Sequence, residues 1–152
     1  MARTDADYIR LAIEQAQLAA AMGEIPVGAV IVCGDRPISL AYNRRESERC
    51  ALAHAELLAI RSACEKLGGW RLHRCTLYVT LEPCPMCAGA IINARIARVV
   101  FGARDPKAGC FGSVSDFAAL PFNHKPEITA GVLEEECGAL LSDFFRRLRR
   151  EK

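Results

Sequence analysis

Thr80-Leu81-Glu82-Pro83-Cys84-Pro85-Met86-Cys87-Ala88-Gly89-Ala90 sets both the fold and the chemistry of this chain. A β-rich segment, Thr76 to Leu81, precedes it, and an apolar segment of helical composition, Ala88 to Ile96, follows. Pro83 and Pro85 push Glu82 and Cys84 into extended backbone, so the strand cannot pass straight into a helix. Pro85 itself suits the first helical position, where its missing N–H costs nothing. This predicts Cys84 at an N-cap and Cys87 one turn in, with both sulfurs on one side of a helix start. The partial positive charge there favours thiolate over thiol. Two thiolates at a rigid corner make half of a zinc site.

The other half is upstream, at His54-Ala55-Glu56. One imidazole and two thiolates are three ligands of the kind zinc takes, and three protein ligands leave the fourth tetrahedral position open for water. Glu56, two residues from the histidine, is then placed to move protons instead of binding metal. Its alternative is a solvated first-turn carboxylate favoured by the helix dipole. Cys50, four residues before His54, is the one thiol that could close the site into a structural one. A redox pair at Cys84 and Cys87 is disfavoured by Pro83 and by the separate His-Ala-Glu element.

Outward from these motifs the chain reads as alternating elements. Thr4 or Asp5 caps a helix running to about Met22, stopped by Gly23. Val27 to Cys33 is a buried strand, and Gly34-Asp35 turns it into a second, Pro37 to Tyr42. Gly28 inside that strand is a bulge, a place where a ligand approaches the backbone, or a packing glycine. A polar loop, 43–52, leads to a helix from about Ala53 to Leu67 with the stripe Leu57, Ile60, Cys64 and Leu67; Gly68-Gly69 ends it. Glu56 falls on the inward half of that helix, where a carboxylate needs a partner or a task. The strand 76–81, the proline corner, a helix from Cys87 to about Arg95 and a strand Val99-Val100-Phe101 follow. The order predicts an α/β chain, a central sheet with helices on its faces. Residues 104–110 and 122–126 are turn-rich loops. The last helix, about 133–150, opens on Glu134-Glu135-Glu136 and closes on Arg146, Arg147, Arg149 and Arg150, matching the macrodipole at both ends.

Length and composition fit one domain, 1–152, since 152 residues at 51% hydrophobic content suffice for a full core. No apolar run approaches the roughly 18 residues of a membrane span, and the N-terminus lacks a secretory core, which predicts a cytoplasmic protein with no membrane partner. Eight cysteines there are reduced thiols or metal ligands. Cys33, Cys64, Cys75 and Cys137 fall in apolar patterns and read as packed thiols; Cys110 sits in a glycine-flanked loop. His73 reads as a surface residue, and His124 as loop structure or an RNA contact. The net charge of +2 says little about nucleic acid on its own.

His54-Ala55-Glu56 with Pro83-Cys84-Pro85-Met86-Cys87 resembles the signature of the zinc-dependent nucleoside and nucleobase deaminases. Pro26 to Val30, Asn43, Leu77 to Glu82, Ala88 to Ile91, Phe101 to Asp105 and Leu141 to Arg146 are similar to its bacterial tRNA adenosine deaminase branch. The likeness runs from about Tyr8 to Arg149. It departs at Cys50-Ala51-Leu52, where many members carry Asp-Pro-Thr, a change that bears on the helix cap and not on the ligands. The resemblance implies a three-layer cytidine-deaminase-like fold, a mixed sheet with helices on both faces. It implies one zinc per subunit on His54, Cys84 and Cys87, lowering the pKa of its water from about 16 to about 7, with Glu56 as proton carrier. It implies deamination of the wobble adenosine of a tRNA, an arginine tRNA in particular, to inosine, by a homodimer that binds the anticodon stem-loop. Asn43 would then read the base, Asp105 and Lys107 hold flanking sugar or phosphate, and Phe145 support splayed nucleotides. Two other readings stand beside it: a free-base or nucleoside deaminase such as a guanine deaminase, which needs neither the basic terminal helix nor the 104–112 loop, and a non-catalytic zinc module that binds RNA.

Overall fold

The computed structural model of the chain describes residues 2–151; Met1 and Lys152, the ends of the expected domain, lie outside them. The elements are α1 (Asp5–Ala21), β1 (Gly28–Cys33), β2 (Arg36–Tyr42), α2 (Ala55–Leu67), β3 (Cys75–Leu81), α3 (Pro85–Asn93), β4 (Arg98–Ala103), β5 (Glu127–Thr129) and α4 (Glu134–Arg150). The sheet order is β2-β1-β3-β4-β5. β1 pairs antiparallel with both β2 and β3, whereas β3–β4 and β4–β5 are parallel. A parallel pair needs a crossover, and α3 supplies it between β3 and β4.

Strand alternation divides the sheet between two cores. Ala29, Ile31, Leu77, Val79, Val99 and Phe101 point to the face covered by α2 and α3. Val30, Val32, Tyr78 and Val100 point to the face covered by α1 and α4. The result is the expected three-layer mixed α/β architecture, buried on both faces as near-continuous apolar strands require. Thr4, not Asp5, caps α1, in a capping box with Asp7. Asp5 is thereby free to take Arg98 in a two-pronged ion pair, at 2.9 and 2.6 Å, and to accept from the Tyr78 hydroxyl at 3.0 Å. One carboxylate ties the start of α1 to β3 and β4.

One open alternative is decided and two expectations are corrected. Gly28 is a packing glycine: a Cβ there would collide with the Ala12 carbonyl and the Ala16 amide of α1, and the register shift of β1 lies at Ile31/Val32. The buried row of α2 is Ala55, Glu56, Ala59 and Ala63, while Leu67 is 47% exposed and Leu57, Ile60 and Cys64 are half-buried. Small side chains let the helix approach the sheet closely, and Ser39 of β2 fixes that approach by donating to the Ala59 carbonyl at 2.8 Å. Third, a short strand, β5, forms beside β4 within the irregular last third. Helix α3 begins at Pro85, with Cys84 as its N-cap, as the proline corner predicts.

Candidate active site

His54 and Cys84 are the N-caps of α2 and α3, both in extended backbone, and neither uses its side chain to cap its helix. Imidazole and thiol are therefore free to face each other across the gap between the two helix starts. The His54 Nδ1 lies 3.7 Å from Cys84 Sγ and 3.5 Å from Cys87 Sγ. A tetrahedral zinc with Zn–S of about 2.3 Å and Zn–N of about 2.0 Å sets sulfur and nitrogen about 3.5 Å apart, so the donor set fits that ion in spacing as well as in kind. Among the described residues, this trio is the group able to hold a metal; Cys50 is not part of it.

The electrostatics agree with a site built around a cation. The Cys84 thiol is pulled down to about 4, first by the hydrogen bond from Cys87 and then by His54. Cys87 is pushed strongly up by that same bond and by burial, because two adjacent thiolates repel unless a cation sits between them. His54 is raised, chiefly by its bond to Cys84. Glu56 is 4% exposed, and burial lifts its carboxyl to about 7 against the pull of its own backbone amide and of His54. A carboxyl at that value both takes and gives protons near neutrality.

Above these groups is a cavity of about 230 Å³ lined by Ile25, Val27, Asn43, Arg45, His54, Glu56, Leu81, Glu82, Cys84, Asp105 and Ala108, among others. Asn43 is buried and already half-committed: its amide donates to the Ile25 carbonyl and accepts from the Arg45 amide, both at 3.2 Å. Asp105 reaches the cavity wall, with Oδ1 accepting the amides of Lys107 and Ala108 at 3.0 and 3.3 Å. Lys107 is exposed on that turn and does not line the cavity. Phe145 is 38% exposed on α4, edge-on to the buried Phe144 at 5.5 Å, and is not brought to the cavity either. Phe144 borders a small surface recess together with Ala20 and Gly23.

Sequence reasoning passed over Arg45, Glu24 and Glu82. Arg45 stood in a loop read only as polar. Glu24 and Glu82 are each 1% exposed, and the one sign of them was their position, beside Ile25-Pro26 and at the end of a buried strand.

Residues 3–149 match the family model of the MafB19-like deaminases. The chain is 53% identical to the tRNA-specific adenosine deaminase of Bacillus subtilis, over 95% of this chain and 91% of that one. The chain belongs to the tRNA-specific adenosine deaminases. Among solved structures, a tRNA:A34 deaminase that edits A to I at the wobble position superposes with a TM-score of 0.86 at 44% identity, covering 88% of this chain and 98% of the other. The guanine deaminase of Nitrosomonas europaea superposes at 0.79 with 26% identity, over 95% and 85%. The fold is thus shared with a free-base enzyme, and the sequence sides with the tRNA-specific adenosine deaminases.

Proposed function

We propose that this chain hydrolyses the wobble adenosine of a tRNA anticodon to inosine, that its tRNA is an arginine tRNA, and that its metal is zinc on His54, Cys84 and Cys87. The observation that carries the reading is a buried, protonatable carboxyl, Glu56, beside a three-donor soft-metal trio at the floor of a base-sized cavity. Pockets for drug-sized ligands run to roughly 300–1,000 Å³; about 230 Å³ suits one extruded base, with the rest of the nucleic acid outside. Bound zinc supplies Lewis-acid activation of water and polarisation of the centre attacked. Glu56 would accept one proton of the water that adds at C6 and pass it to the adjacent ring nitrogen, then take the second proton from the added hydroxyl and deliver it to the amine, so that the C–N bond breaks, the new C–O bond becomes the carbonyl, and ammonia leaves.

Asn43, from the cavity wall, has amide hydrogen-bonding capacity left to read the base edge. Asp105 lines the cavity and its turn carries the exposed Lys107, which supports a role for the pair toward flanking sugar or phosphate; Phe145 offers an exposed ring to unstacked nucleotides. Residues 1–152 act as one deaminase domain in the cytoplasm, where its tRNA substrate is processed; among the described residues no helix is long and apolar enough to cross a membrane. The functional unit is a homodimer; Leu52, 59% exposed two residues before His54, marks apolar surface beside the site for a second copy to cover.

The test is a synthetic arginine anticodon arm with adenosine at the wobble position, incubated with the purified protein beside free guanine. Inosine at that position is expected. Ammonia from guanine without inosine in the arm would transfer the chain to the free-base deaminases.

A further inference from the structure

Glu24 and Glu82 are buried carboxylates that the deamination chemistry does not use. Glu82 Oε1 accepts the Asp105 amide at 3.0 Å and the Ser113 hydroxyl, and Oε2 accepts the amides of Phe111 and Ser113 at 3.0 and 3.1 Å. Four donors fill the roughly four lone-pair sites of a carboxylate. Glu82 therefore has no capacity left for substrate, although it borders the cavity. What it holds is the loop 105–113, which supplies Asp105 and Ala108 to the cavity wall. The same loop is joined to the metal corner by the Cys110 amide, which donates to the Pro83 carbonyl at 2.9 Å. Gly109 passes so close that a Cβ there would strike the Glu82 carboxylate.

Glu24 repeats the device on the other wall. Its carboxylate accepts the Glu46 amide at 3.0 Å and the Ser47 amide at 2.6 Å, together with the Ser47 hydroxyl. It holds the loop after Tyr42, which supplies Asn43 and Arg45 to the cavity. Burial opposes ionisation of both groups, yet their hydrogen bonds outweigh it and keep each carboxyl below the usual range. They are charged braces at neutral pH.

We propose that Glu24 and Glu82 are paired positioning residues that set the gap between the two loops walling the base cavity, and so govern how the RNA is held and not the chemical step. The inference rests on the deaminase reading of the cavity for its kinetic arm alone. Replacing one acceptor oxygen with an amide nitrogen turns a donor against donors, leaves a buried amide unpaired and frees part of a loop.

The experiment compares wild type with Glu24→Gln, Glu82→Gln and Gly109→Ala. The last pushes a methyl at the Glu82 carboxylate without altering charge, and it stands in for Glu82→Gln should that variant not fold. Expected for each variant are unchanged zinc content, kcat within about 3-fold, and KM for the anticodon arm raised about 10-fold or more. Amide exchange is expected to accelerate at Asp105, Phe111 and Ser113 for the Glu82 and Gly109 variants, and at Glu46 and Ser47 for Glu24→Gln, with β3 and α3 unchanged. Two results overturn the proposal: loop amides that open with KM unmoved, or zinc and kcat that fall with KM constant. If wild type forms no inosine, the deaminase reading fails while the exchange data still judge the braces.

Discussion

Replacing Glu56 by glutamine separates proton transfer from everything else the site does. The amide fills the volume of the carboxyl, so no cavity opens in a row that is otherwise alanine. Zinc is expected to remain at one per chain, because the donor trio is His54, Cys84 and Cys87. At 4% exposure the side chain has little contact with bulk water that could act in its place. The loss of turnover should therefore lie at the upper end of the range for general acid–base groups, about 10⁴-fold, or roughly 5 kcal/mol of transition-state stabilisation. Thermal stability should hold or rise, since burial opposes the charged form at this position. Cys87→Ala is the contrast: a fully buried member of the donor trio whose removal should cost zinc, turnover and melting temperature together. Single-turnover inosine formation on an anticodon arm, zinc content and thermal melts read all three quantities. Turnover within about 10-fold of wild type, or zinc loss in Glu56→Gln equal to that in Cys87→Ala, would refute the role given to this carboxyl.

Asp5→Asn should weaken the clasp between α1 and β4 by roughly 1–2 kcal/mol, read by urea denaturation, with turnover unaltered, because the pair with Arg98 is about 30% exposed and hydrogen-bonded to Tyr78 as well. Asp5, Glu24 and Glu82 all have folded-state values below their ordinary 3.8 or 4.5, the first through its bond to Arg98. Depressed values stabilise the fold above the unfolded pKa and lose that contribution as pH falls through the folded one, so stability should hold down to about pH 4.5 and decline below it; Glu24→Gln and Glu82→Gln should each flatten that decline in melts recorded against pH. Arg146 is engaged with Asp143 at 3.1 Å, which leaves Arg147, Arg149 and Arg150 at the end of α4 for phosphate. Removing these three should lower the salt slope of RNA binding by up to about 2, at roughly 0.7 per contact on single strands; an unchanged slope would make them a solvated helix end.

The parts of the molecule written in local chemistry were legible from its sequence. Pro83 and Pro85 act on their own neighbours, so the strand-to-helix corner and the N-cap place of Cys84 follow from the chain alone. Near-continuous apolar runs in β1, β3 and β4 likewise announce strands buried on both sides. That His54, Cys84 and Cys87 come together was readable because soft-metal chemistry restricts residue type as well as spacing, and the fold brings their donor atoms into one cluster. Features fixed by distant partners were not. β5 is a three-residue strand, Glu127–Thr129, that exists because β4 lies beside it. The inward face of α2 is marked by alanines, while the larger Leu57, Ile60 and Cys64 sit on its flank, so counting bulk misorients the helix. Glu24 and Glu82 are ordinary charged residues until loops 22 and 23 to 31 positions away deliver amides to them. Phe145 shows the converse: a resemblance points to it, and nothing in its local sequence does; on α4 it presents a 38% exposed ring and is not among the residues lining the cavity.

The alanine row of α2 has a consequence for what this scaffold tolerates. Ala55, Ala59 and Ala63 act as a spacer gauge, fixing how far the helix stands from the strands beneath it. A valine at Ala63, seven residues and about 10 Å along the axis from Glu56, would jack the helix off the sheet and tilt Glu56 away from the His54, Cys84 and Cys87 donors. Substitutions meant to retune the base preference therefore have freedom in the rim loops and almost none along this seam. A laboratory search for altered specificity should spare those methyl groups.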